Sequence, residues 1–173
     1  MSSVERPGTI REVVDRAASA EQTFTVGLHE FLDEFYGDLD ESSRRRRIAE
    51  EPLLLDDPQR DALIGAVAEH LSFRWRLGQP PHWVEKRARF LKTPWFATGV
   101  DQEKAFLIAE SPLAFRRRLI FVPAEPLRRA SMPRDERWYL LEEARTGINF
   151  RPSVSQEAMP LADALVTRPL HRV

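Results

Sequence analysis

An all-α fold, a single irregular bundle of about six to eight helices with at most one short extended segment, is predicted by three features. Apolar residues recur at helical spacing behind recognisable caps. Prolines and glycines punctuate the chain between these runs. Only one stretch, LIFVP at 119–123, reads as a strand, and Pro123 keeps it short.

The elements follow in order. Thr9 with Glu12, in TIRE, is a capping-box pattern that opens a first helix to about Ala18. Thr23 or Thr25 caps the next, in which Leu28, Phe31, Leu32 and Phe35 form one stripe before a stop at Gly37. The stretch 38–52 holds a helical turn or two, with acids ahead of bases as the helix dipole favours. Asp57 with Pro58 starts the strongest helix: Leu63, Ala66, Val67, His70 and Leu71 continue its stripe, and Gly78 is the expected C-cap. Residues 81–91, PHWVEKRARFL, read as another helix aligning Trp83, Arg87, Phe90 and Leu91. TPWFATGV then reads as a loop carrying two large rings.

Asp101 is expected to cap QEKAFLIAE, where Ala105, Ile108 and Ala109 share a face. Ser111 with Pro112 repeats the cap-plus-proline signal and opens PLAFRRRL, a helix too short to stand without packing. Residues 134–147 form an amphipathic helix ending at Gly147. Residues 148–160 read as loop, and 161–173 as a short helix or a tail that orders on binding. Residues 1–130 are thus read as a helical domain and 131–173 as its appendage.

Composition narrows the function classes. With no cysteine among 173 residues there is no disulfide framework, thiol nucleophile or thiolate metal site. No apolar run approaches the roughly 18 residues that span a bilayer, and the N-terminal stretch lacks a signal-peptide core. The expectation is a cytoplasmic protein without membrane contact. The four histidines fit no metal-binding spacing, and phosphate-loop and nucleophile-elbow motifs are missing. No catalytic residue, metal or cofactor is therefore assigned. His70, on the apolar side of its helix, reads as a hydrogen-bonded core histidine ahead of a catalytic base.

The net charge of −1 is unevenly spread. Residues 1–57 hold 7 Lys/Arg against 14 Asp/Glu, and residues 74–129 hold 12 against 5. Either the acidic helices fold against the basic centre, or the centre attracts an anionic partner. Two arginine runs sharpen the question. Arg44 to Arg47 cover every direction around a helical turn, so at least two face solvent. Arg116, Arg117 and Arg118 do the same beside Phe115. Together with Arg87 and the loop rings Trp95 and Phe96 they make the candidate partner-binding set, since arginine and aromatics dominate binding hot spots. If all three arginines face outward, replacing them leaves stability unchanged.

EEPLLLDD, AVAEHLSFRWRLGQPPHWVEKRARFLKTPWFATG and LIAESPLAFRRRLIFV, spanning residues 48–122, resemble small helical bacterial proteins and the C-terminal regions of helix-turn-helix regulators found beside nucleotidyltransferase-type toxins. The resemblance implies an antitoxin-like or accessory protein that restrains a nucleotidyltransferase-fold partner by covering its cleft, with Arg116, Arg117 and Arg118 pairing with acids that hold magnesium. Unlike the longer regulators, the sequence shows no recognisable DNA-binding domain before residue 50, which puts regulation of its own operon in doubt. The alternative is an RNA- or single-strand-binding module that uses the basic segment 74–129.

Overall fold

The computed structural model describes residues 5–151. Among the described residues, seven α-helices and two short strands make a mostly helical fold, as predicted. The expected last element at 161–173 lies outside the described residues. The chain divides into one compact unit that ends at Met132 and a second that begins at Pro133.

Local caps fix the early helices. Thr9 accepts the Glu12 amide and opens α1 (Ile10–Ala18), while the Glu12 carboxylate takes the Gly8 amide at 2.7 Å. α2 (Phe24–Gly37) packs on α1 and buries Leu28, Phe31, Leu32 and Phe35, the stripe read from the sequence. α3 (Glu41–Ala49) is capped by Asp40, and its arginine run splits as helical geometry requires. Arg45 and Arg46 are exposed. Arg44 is buried, donates to the Phe35 and Tyr36 carbonyls near the end of α2, and lies over the Trp75 ring. Arg47 bridges Asp38 and the Gly8 carbonyl.

α4 (Pro58–Arg74) is the central strut, with Asp57 accepting the Gln59 and Arg60 amides. It ends before the expected Gly78. Arg76 takes the left-handed conformation (φ 56°), and the Leu77 amide reaches back to the Ser72 carbonyl at 2.9 Å, a Schellman motif closed without glycine. Burial of Leu77 holds that turn.

The expected helix over 81–91 is instead two 3-10 turns, His82–Glu85 and Arg87–Arg89. Lys86 between them is extended (ψ 135°), which breaks the helical ladder. Trp83 is buried nonetheless and donates to the Ala49 carbonyl at 3.2 Å. The loop expected at 93–100 contains β1 (Trp95–Phe96), which pairs in parallel with β2 (Ile120–Phe121). Two extended segments therefore exist where one was expected.

α5 (Asp101–Glu110) and α6 (Leu113–Arg116) connect the strands. Ser111 does not cap α6. Its hydroxyl accepts the Val122 amide at 2.8 Å and donates to the Leu107 carbonyl, tying α5 to the strand that follows. The core of this unit sits around α4, which packs against both 3-10 turns and α6 and buries Ile64, Val67 and Leu71 with Val84, Phe115 and Ile120.

In the second unit, α7 (Glu136–Thr146) is capped by Asp135 and closed by Gly147 at φ 71°, the stop read from the sequence. No helix among the described residues is long and apolar enough to cross a membrane.

Candidate partner-binding surface

The run at 116–118 does not face one way. α6 is a single turn that ends at Arg116, and Arg117 and Arg118 follow it, so the three arginines point in different directions, and α4 packs against this turn. Arg118 is fully buried. Its guanidinium pairs with Glu69 of α4 and donates to the carbonyls of Ala114 (2.7 Å) and Val84 (2.8 Å), with the Phe90 ring 4.6 Å away. Burial pushes its pKa down and Glu69 opposes the shift. Arg117 reaches Glu85 at 2.6 Å and Glu69 at 2.9 Å, and these bonds raise its pKa. Arg116 and Arg117 are both exposed, but Arg117 is held by its two carboxylates, whereas Arg116 has no ion-pair partner among the described residues.

The predicted set is corrected accordingly. Phe115 is buried against His70, with ring centroids 5.5 Å apart, so neither it nor Arg118 belongs to a surface. The physical reason is α4. Asp61, Gly65 and Glu69 lie at i, i+4 and i+8 on one face, and the glycine lets two arginines come close. A Cβ at Gly65 would stand 3.0 Å from Arg118 Nε and 3.0 Å from Arg89 Cβ. Arg89, buried, faces Asp61 at 3.5 Å and donates to the Pro52 and Leu53 carbonyls. Guanidiniums thus act as core cross-braces.

Other bases of the centre also pair with carboxylates of the chain, some buried and some at the surface. Arg74 pairs with Glu125, Lys86 with Glu51 and Arg129 with Asp33. His70 is also internal: buried, under Phe115, with Nε2 3.7 Å from a Glu125 carboxylate oxygen. No three His, Cys, Asp or Glu side chains cluster as a metal cage would among the described residues.

Trp95 and Phe96 are half-buried. Phe96 stacks on Phe121 (4.8 Å, 21°) across the parallel pair, and Lys104 of α5 sits 5.4 Å from its ring. Phe96 thus links α5 to the ladder. Arg87 is exposed on the rim of a groove of about 670 Å³ formed with residues 54–61.

The sequence reading missed the larger feature. α5 buries only Leu107. At about 100° per residue, Ala105 and Ala109 lie opposite Leu107, with Phe106 on one flank and Ile108 on the other. All four are exposed, Phe106 at 69% and Ile108 at 46%, and Leu113, opening α6, is 62% exposed. Exposed apolar helix faces of this kind often mark interaction surfaces. The periodicity was visible in AFLIA. Which side faced inward was not.

Fold and surface together define a class: a mostly helical bundle braced by buried arginine–carboxylate pairs, with one apolar helix face exposed beside a two-strand parallel ladder. No family model, curated protein or solved structure matches the chain.

Proposed function

We propose that this chain is an antitoxin-like binding protein without catalysis of its own, which docks a protein partner on the outward face of α5 and restrains it. The observation that carries the reading is α5 itself, anchored by Leu107 while Ala105, Phe106, Ile108 and Ala109 stand exposed. A partner helix or sheet with a complementary apolar strip buries these groups, and the alanines allow close backbone approach. Leu113 extends the strip, and Arg116 supplies a cation able to meet a partner carboxylate. The resemblance of residues 48–122 indicates the partner class, a nucleotidyltransferase-fold protein whose cleft is covered on docking. Arg116 then takes the acid-pairing role first given to three arginines. A nucleic-acid module over 74–129 has less support, because Arg74, Lys86, Arg89, Arg117, Arg118 and Arg129 already pair with carboxylates of this chain.

Co-expression with a nucleotidyltransferase-fold protein encoded beside this chain tests the reading. The two should co-purify, and Phe106→Ser with Ile108→Ser should abolish the complex while the melting temperature holds. A complex unaffected by both substitutions sinks the α5 assignment. The absence of such a neighbouring gene counts against the partner class.

A further inference from the structure

The groove beside Arg87 has features that docking on α5 does not use. One wall comes from Leu54, Asp56, Pro58 and Asp61, the other from Arg87, Ala88, Phe90, Leu91, Lys92 and Thr93, around a cavity of about 670 Å³. That volume is within the range of small-molecule sites, roughly 300–1,000 Å³. The walls differ in charge: carboxylates on one, cations on the other, with apolar side chains between them.

Asp61 makes the groove more than a surface crease. Its side chain is 7% exposed, and Oδ1 accepts the Leu55 amide at 2.9 Å and faces Arg89 Nη1 at 3.5 Å. Oδ2 accepts nothing among the described residues, yet it is not among the polar atoms sealed from solvent without a partner. Asp61 lines the groove, so its carboxylate offers an acceptor to an occupant. At the rim, Arg87 and Lys92 are exposed and have no ion-pair partner among the described residues.

A fitting ligand offers an N–H to a carboxylate, a flat apolar body to Leu54, Pro58 and Leu91, and an anion to two cations at one end. We propose that the groove binds a purine nucleotide, its base seated on the apolar strip with an N–H on Asp61 Oδ2 and its phosphates held by Arg87 and Lys92. The base N–H suits a carboxylate acceptor, and a two-ring base covers more of the strip than a one-ring base. Guanidinium and ammonium groups are the usual phosphate holders. The site shares no residue with the α5 face, so its failure leaves the docking proposal standing, and the reverse holds.

Calorimetric titration of the full chain with ATP, GTP and inorganic triphosphate at about 50 mM salt tests this. One of the two nucleotides should bind saturably with one site per chain, and triphosphate should bind at least tenfold more weakly. Arg87→Ser with Lys92→Ser, two exposed positions, should weaken the nucleotide at least tenfold without moving the melting temperature. Asp61→Asn keeps an acceptor for the Leu55 amide and should weaken the nucleotide but not triphosphate. No saturable binding of either nucleotide at millimolar concentration overturns the proposal. So does triphosphate binding as tightly as the nucleotide, or nucleotide binding indifferent to the rim pair.

Discussion

Arg118→Met separates a structural arginine from a recognition arginine most sharply. Methionine keeps much of the length and the apolar stem while removing the guanidinium. The change deletes the pair with Glu69 and the donors to the Ala114 and Val84 carbonyls, all buried. Breaking one side of a buried pair costs about 3–5 kcal/mol. Glu69 keeps Arg117 at 2.9 Å, so its charge is not stranded. The loss therefore falls near the lower end, on the order of 3 kcal/mol, with two buried carbonyls left unpaired at about 1–3 kcal/mol each as the main cause. Urea unfolding followed by circular dichroism reads it directly, with Arg116→Met as the matched control. The control should stay within about 0.5 kcal/mol, as exposed positions do. Adding Glu69→Leu should recover part of the loss, because Arg117 retains Glu85 at 2.6 Å. A loss below about 1 kcal/mol for Arg118→Met, or equal losses at 116 and 118, would refute the cross-brace argument.

Other outcomes follow from local geometry. Arg76→Gly and Ala20→Gly relieve left-handed backbone at φ 56° and 58°, and each should raise stability by about 0.5–1 kcal/mol in the same urea assay. Trp83→Ala should cost about 3–5 kcal/mol and leave the Ala49 carbonyl without its donor. Bonds from Ser43 and Arg47 hold the Asp38 carboxyl down at about 2, well below its ordinary value of 3.8. A depressed acid contributes stability above its unfolded pKa and loses it as pH falls through the folded value. Unfolding midpoints should thus drop more steeply between about pH 4 and 2 in the native chain than in Asp38→Asn; equal slopes would count against this bond set.

What the sequence disclosed was local. Thr9 with Glu12, Asp57 with Pro58, and Gly147 are signals read within one turn of chain, and each sits where the helix ends require. The α2 stripe was equally legible, because a helix with one apolar side has one way to face a core. The failures needed partners distant in sequence. Arg118 and Phe115 were read as surface because Glu69 lies 49 residues before the arginine, and nothing nearby announces the pair. Residues 95–96 became a strand through pairing with 120–121, a contact that a two-residue segment cannot signal. Lys86 breaks the segment 82–89 into two turns while its side chain reaches Glu51. At α5 the apolar residues were plain, but helical periodicity says that a face exists and not what covers it.

Amide hydrogen exchange across residues 101–116, measured for the chain alone and in complex with the proposed nucleotidyltransferase-type partner, tests the central claim most directly. Protection gained over α5 and Leu113, with α3 and the 3-10 turns unchanged, is the predicted footprint. Protection confined to other segments, with α5 exchanging at its free rate in the complex, would contradict it.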